Sequence, residues 1–314
     1  MNRTGVRTAT ALAGVAVCVV VAVFAPGPDR YVRSAMRFHD FLHVPGFVLV
    51  AALLLAGWRI APCRPRRRSA HLALIFGLSV ALGILVELLQ VVAGGGGDPW
   101  DVARDAAGAA SALLLASSFW SEVRRPARWA LRLAALVVAA VFAVPTLGAL
   151  LDESRARHQF PVLADFSRAS EFDRFEWSGS APASLVCTGG RGTRCVVQVS
   201  LLPGLYPGFA LTYFPRDWRG FRHFVVSCAN ASDTPLALTI RIDDMRHNGR
   251  YTDRFNRTYV LAPGRNEVRV PLADVEAAPC GRRLDLGRVR DVVVFAYQLA
   301  TPRRIVVHSL RLEH

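Results

Sequence analysis

Five stretches of the 314-residue chain, 8–25, 41–58, 71–93, 104–120 and 129–151, are long and apolar enough to be read as membrane-spanning helices. Crossing the hydrocarbon takes about 17 to 25 apolar residues in a helix. Only helices and closed barrels satisfy their backbone groups there. Residues 1–151 are therefore expected to form an α-helical transmembrane bundle of about five helices, with Pro145 bending the fifth. For the first stretch a cleaved signal peptide is the alternative, since Arg3 and Arg7 precede a short apolar core. Against it, Pro26, Gly27 and Pro28 follow where a small-x-small cleavage signal would stand.

All 38 basic residues are Arg. With the N-terminus inside, Arg3, Arg7, Arg59, Arg64, Arg66, Arg67, Arg68, Arg124, Arg125, Arg128 and Arg132 fall on one side, and only Arg30, Arg33, Arg37 and Arg104 on the other. The positive-inside rule then places the N-terminus in the cytoplasm of a multi-pass protein in the cytoplasmic (inner) membrane. Five crossings put residues 152–314 outside. Much of the formal charge of +14 lies at the inner membrane edge, so membrane lipids are the expected partner. No nucleic-acid-binding pattern accompanies that charge.

Cys187, Cys195, Cys228 and Cys280 all fall in the outer half. In an oxidising compartment they allow three pairings. Cys187 with Cys195 is the easiest, across a turn of Thr188, Gly189, Gly190, Arg191 and Gly192. Cys228 with Cys280 follows by elimination. Four unpaired buried thiols are the alternative.

Polar groups interrupt the apolar half. Glu87 and Gln90 share one helix face, and Asp101, Asp105 and Gly108 another, because steps of three and four return to one side. A charge at the bilayer centre costs about 3 kcal/mol, so such groups face a bundle interior with a partner. Arg104 or a histidine is the expected compensation. Ala103, Ala107 and Ser111 offer a small-residue stripe for a close neighbour. Packing through hydrogen bonds alone is the plainer role. His39, Asp40 and His43 have the i, i+4 histidine spacing of a zinc helix, but Asp is shorter than the usual Glu and the segment is a membrane boundary. No metal site and no cofactor are expected.

Glu87 and Gln90 at one helix end, then Asp101, Asp105 and Gly108 entering the next, with Asp40 and His43 upstream, resemble the VanZ-like family of bacterial membrane proteins over residues 38–115. The resemblance implies a membrane topology, and that family is named for a glycopeptide-resistance component. Asp105 stands where the family usually has Asn, and Gly94 to Gly97 fill a connector where an Arg is common.

From residue 152 the sequence turns to short runs broken by Gly, Pro, Asn and Asp. Segments 195–201, 221–228, 236–242, 267–272, 292–297 and 305–312 alternate or are continuously apolar. This predicts an all-β sandwich or jelly roll as a second domain. Residues 241–256 and 261–266, with the closing strand 305–312, resemble galactose-binding-like jelly rolls of the carbohydrate-binding-module type. Asp243, Asp244, His247, Asn248, Tyr251, Asp253, Arg254 and Asn256 crowd one loop. Acids, amides and Arg suit paired sugar hydroxyls, and Tyr251 or Trp218 suits a sugar ring face. Turn capping and Arg pairing within the loop are the alternative use of the same acids.

The expected protein is a cell-envelope membrane protein whose outer domain binds a glycan or lipid-linked saccharide, linked through the first resemblance to antibiotic tolerance. No nucleophile, base and orienting group assemble in the sequence, which favours a non-enzymatic reading. The alternative is a membrane-embedded enzyme or transporter acting on a lipid-linked envelope precursor through Asp40, His43, Glu87, Gln90, Asp101 and Asp105.

Overall fold

A computed structural model describes residues 3–24, 27–58, 68–93, 97–188 and 194–314. Cys63, Arg59, Arg64, Arg66, Arg67, Gly94 to Gly96, Gly189 to Gly192 and the side chains of Arg3 and Arg7 lie outside the described residues. The chain divides into two compact units, Met1–Ala149 and Leu150–His314.

The first unit is built from α1 (Arg3–Phe24), α2 (Arg33–Trp58), α3 (Arg68–Val92), α4 (Pro99–Ser117) and most of α5 (Arg125–Gln159). Asp98 starts α4 by accepting the Trp100 N–H at 2.9 Å, and Pro99 occupies the first helical position, where its missing N–H costs nothing. α5 runs on as one helix through Pro145. The buried cluster here is small: Ala51, Ile75, Ala109, Ala112 and Leu113. Leu85, Leu88, Leu133, Leu136, Val141 and Leu147 are exposed, as lipid-facing side chains would be.

Three helices among the described residues are long and apolar enough to cross a membrane: Arg33–Gly57, Arg68–Val92 and Arg125–Gln159. The expectation of about five is corrected to these three. The described apolar part of α1, Ala9–Ala22, is too short, and α4 carries Asp101, Arg104 and Asp105 in its first two turns. The close-packing face of α4 also differs from the expected stripe. Ala103 is exposed, while Gly108, Ala109, Ser111 and Ala112 are buried. A Cβ on Gly108 would come within 2.3 Å of the Val44 carbonyl oxygen, so only glycine lets α2 and α4 approach this closely.

The second unit is an antiparallel β-sandwich. Its strands are β1 (Val162–Ala164), β2 (Phe175–Trp177), β3 (Ala183–Thr188), β4 (Arg194–Leu201), β5 (Gly208–Leu211), β6 (His223–Asn230), β7 (Leu236–Asp244), β8 (Phe255–Leu261), β9 (Gly264–Pro271), β10 (Val289–Phe295) and β11 (Arg303–Glu313). A short helix, α6 (Leu272–Ala277), follows β9. One sheet runs β3-β4-β11-β6-β9, with β1 added along β11; the other runs β2-β5-β10-β7-β8. Alternation builds the core: in β7, Leu236, Leu238, Ile240 and Ile242 are buried, while Ala237, Thr239 and Arg241 face the other way.

Cys187 and Cys195 are directly opposed on β3 and β4 and form a disulfide. The expected Cys228 to Cys280 bond is not formed. Cys228 points into the core from β6, which lies between β11 and β9, and burial raises its thiol to about 11. Cys280 is an exposed free cysteine beyond α6, where its N–H donates to the Thr252 carbonyl at 2.9 Å.

Candidate functional site

The side of the five-stranded sheet that faces away from the core carries an open groove of about 870 Å³. Strand register gives it two cross-sheet rows. The first is Glu176, Ala210, Val293, Arg241 and Asn256, each opposite the next on the neighbouring strand. The second is Gly208, Phe295, Thr239 and Thr258. Gly208 is required by the close approach of β5 to β10, since a Cβ there would lie 2.2 Å from the Val294 carbonyl oxygen.

Aromatic rings wall the groove. Tyr206 lies 5.5 Å from Tyr297 and 5.6 Å from Phe295, and the exposed Tyr251 has the Arg254 guanidinium 5.3 Å above its ring. Trp177, opposite Phe209 on the neighbouring strand, turns to the core side of the sheet, where it stacks on Phe172 at 4.9 Å. Arg241 is fixed by Asp243, which accepts its Nε at 2.9 Å and Nη2 at 2.5 Å and also meets Arg290 Nε at 2.9 Å. Burial and the nearby Arg241 push the Arg254 guanidinium below its ordinary value. Both amide atoms of Asn256 and the Arg254 Nε are buried with no hydrogen-bond partner among the described residues. A buried polar group left unpaired costs about 1 to 3 kcal/mol, which a ligand hydroxyl within reach would recover.

The loop singled out in the sequence divides in two. Tyr251, Arg254 and Asn256 line the groove. The others hold the loop together. Asp244, wholly buried, accepts Arg282 at 2.6 and 2.9 Å and the N–H groups of Asp285 and Arg246. Asp253 accepts Arg282 Nε at 2.5 Å and the Asn248 N–H at 2.9 Å, while the His247 ring sits 2.9 Å from the Asp253 carbonyl oxygen. Arg282 and burial oppose each other at Asp253, and Arg282 wins, holding its carboxyl at about 2. Trp218 is corrected outright: it is 0% exposed in the core, its Nε1 donating to Pro215, and it cannot stack on a ligand. Tyr206, Thr239 and Tyr297 escaped the sequence reading, and Arg241, read there only as a pairing partner for the loop acids, does pair with Asp243 and also lines the groove.

No family model matches the chain, and no curated protein matches it. Several solved structures resemble its β-sandwich. An exo-beta-agarase aligns at 14% identity and a TM-score of 0.40 over 48% of this chain and 24% of its own, so the match spans about a quarter of that enzyme. The family 11 carbohydrate-binding module from Clostridium thermocellum, solved with a β-1,3-1,4-mixed-linked tetrasaccharide, aligns at 16% and 0.37 over 49% of this chain and 96% of its own. A module specific for non-crystalline cellulose gives 13% and 0.35, over 49% and 93%.

In the helical unit, six of the polar residues singled out in the sequence gather: Asp40, His43, Glu87, Asp101, Arg104 and Asp105. His43 Nδ1 lies 2.9 Å from Asp105 Oδ1 and its Nε2 lies 3.6 Å from Asp101 Oδ2. Glu87 Oε2 accepts the Asp98 N–H at 2.8 Å. Arg104 pairs with Asp101 and, at 3.5 Å each, with Asp40 and Asp98. Asp98, the helix cap, was not singled out. Gln90 stands apart, donating to the Ala22 carbonyl at 3.0 Å. His39 meets His43 edge to face at 6.0 Å.

Proposed function

We propose that this chain is a membrane-anchored glycan-binding protein of the cell envelope. The observation that carries this reading is the groove: the Asn256 amide atoms and the Arg254 Nε, without a hydrogen-bond partner among the described residues, beside three exposed tyrosines, Tyr206, Tyr251 and Tyr297. A saccharide presents ring C–H faces that pack on aromatic rings and hydroxyls that need paired donors and acceptors. The volume suits several sugar residues. The fixed Arg241 is preorganised for this, because its pairing with Asp243 has already removed much of its side-chain freedom.

In this reading the apolar helices fix the protein in the cytoplasmic membrane as a multi-pass protein, N-terminus inside, and hold the sandwich outside the cell membrane. With three spans, Arg30, Arg33, Arg37, Arg104, Arg124, Arg125, Arg128 and Arg132 share the N-terminal side against Arg59, Arg64, Arg66, Arg67 and Arg68 on the other, and this smaller excess supports that orientation; the Cys187–Cys195 disulfide suits an oxidising compartment. The VanZ-like resemblance of residues 38–115 adds cell-envelope and glycopeptide-tolerance roles to the same reading.

The test is binding of residues 150–314 to immobilised envelope and plant or algal polysaccharides. Wild type is expected to bind at least one, and Tyr297→Ala and Tyr206→Ala each to weaken binding about tenfold, or 1.4 kcal/mol. Failure of the folded fragment to bind any glycan would remove the reading.

A further inference from the structure

We propose that His43, Glu87 and Asp101 form a divalent transition-metal site in the helical unit, with Zn2+ the best-matched ion. The three come from different helices: His43 from α2, Glu87 from the end of α3 and Asp101 from the first turn of α4. One ligand atom from each lies within 4.8 Å of the others. Asp101 Oδ2 and His43 Nε2 are 3.6 Å apart, close to the about 3.4 Å edge of a tetrahedron with ligand bonds of about 2.0 to 2.2 Å.

The acids of the cluster are not equally in need of an explanation. Asp98 and Asp101 sit at a helix N-terminus, where carboxylates are favoured, and both reach Arg104. Glu87 and Asp105 have no such account. Glu87 is 7% exposed and Asp105 0%, and Glu87 Oε1 and Asp105 Oδ2 are buried with no hydrogen-bond partner among the described residues. Around them five carboxylates, of Asp40, Glu87, Asp98, Asp101 and Asp105, face the guanidinium groups of Arg37 and Arg104. A dication at the Glu87 oxygen answers both the missing partner and the excess negative charge.

Asp105 has the geometry of a positioning residue. Its Oδ1 lies 2.9 Å from His43 Nδ1. A carboxylate there takes the Nδ1 proton as its hydrogen bond and leaves the Nε2 lone pair directed at Asp101, the arrangement that orients metal-bound histidines. The backbone makes room for it: a Cβ on Gly83 would come within 2.6 Å of Asp105 Oδ2. Asp101 serves two partners through two oxygens, Oδ1 toward Arg104 and Oδ2 toward His43. One imidazole with two carboxylates suits a borderline ion better than Mg2+ or Ca2+, which prefer oxygen alone. Three protein ligands leave a fourth position open.

The test uses the full chain in detergent micelles, stripped with a chelator and titrated with Zn2+ by calorimetry. Wild type is expected to take up one tight equivalent. His43→Ala and Glu87→Gln should weaken it by about 100-fold or more, and Asp105→Asn by about 10- to 100-fold. His39→Ala should leave it unchanged. Co2+ loaded into the wild-type protein should give the intense visible bands of a four- or five-coordinate site, which keeps the proposal testable where a variant fails to fold. Absence of tight Zn2+ uptake by wild type, equal uptake by Glu87→Gln and His43→Ala, or the pale spectrum of six-coordinate Co2+ would each overturn it.

Discussion

Asn256 stands directly opposite Arg241 across the β7–β8 ladder, and both of its amide atoms are without a partner among the described residues while Arg241 is tied to Asp243. The two residues share a row of the groove but do different work. Removing the Asn256 amide takes away no hydrogen bond to a described residue and relieves buried groups that have no partner there, so Asn256→Ala is expected to leave the unfolding free energy of the sandwich unchanged or to raise it by about 1 to 3 kcal/mol. Glycan affinity should fall about tenfold in the same protein. Denaturant unfolding and calorimetric binding of one preparation check the split; a large stability loss with unchanged affinity would make Asn256 structural.

Acid sensitivity follows from Asp253. Its carboxyl is held at about 2 by the Arg282 hydrogen bond against burial, below the roughly 3.9 of an unfolded Asp. A depressed folded value contributes stability that is complete above about pH 4 and is lost as pH falls toward about 2. Unfolding free energies measured from about pH 5 down to pH 2 should fall less steeply for Asp253→Asn than for wild type. Parallel curves would show that Asp253 carries none of the dependence.

Arg174, 0% exposed, forks onto Asp152 through Nε at 2.9 Å and Nη2 at 3.1 Å. Asp152 lies in α5, ahead of the first strand. A fragment begun at residue 158 would leave the guanidinium buried without its carboxylate, which costs about 3 to 5 kcal/mol. Residues 150–314 should therefore unfold at distinctly higher urea concentration than residues 158–314, and Asp152→Ala in the longer fragment should reproduce most of the difference. Equal midpoints would contradict this.

The cysteines separate by accessibility. Native protein treated with an alkylating reagent should be modified at Cys280, while Cys228 should react only after unfolding, because it is buried and its thiol is held at about 11. Reducing the Cys187–Cys195 bond, which closes an eight-residue separation, should destabilise the sandwich by about 2 to 3 kcal/mol. Peptide mapping that found Cys228 joined to Cys280 would contradict the placement of both.

Long alternating strands were legible because period-two burial is written into them: Leu236, Leu238, Ile240 and Ile242 announce β7 without any tertiary information. β2 and β5, with three and four residues, are too short to show a period. The groove was hidden for another reason. Its floor is assembled from Glu176, Ala210, Val293, Arg241 and Asn256 on five strands, so only register brings them together. The one local signal was Thr239 and Arg241 on the polar side of an otherwise apolar strand. Asp244 and Asp253 stood out in sequence as ligand groups, but their partner Arg282 lies 38 and 29 residues away and turns them inward. Trp218, between Asp217 and Arg219, has polar neighbours and a wholly buried ring. In the helices, i, i+3 and i+4 spacing correctly gave shared faces for Asp101 and Asp105, but not the approach of His43 from α2.

The most direct measurement of the groove's role is chemical-shift mapping of isotopically labelled residues 150–314 during titration with an oligosaccharide from a glycan that the fragment binds. The side-chain amide of Asn256, the Arg241 and Arg254 Nε–H signals and the Thr239 and Thr258 methyl signals should move together and saturate with one affinity, while signals from Asp244, Arg282 and the buried Trp218 stay in place. Saturable shifts centred away from the groove, for instance on the second surface depression beside Arg222 and Arg246, would contradict the account.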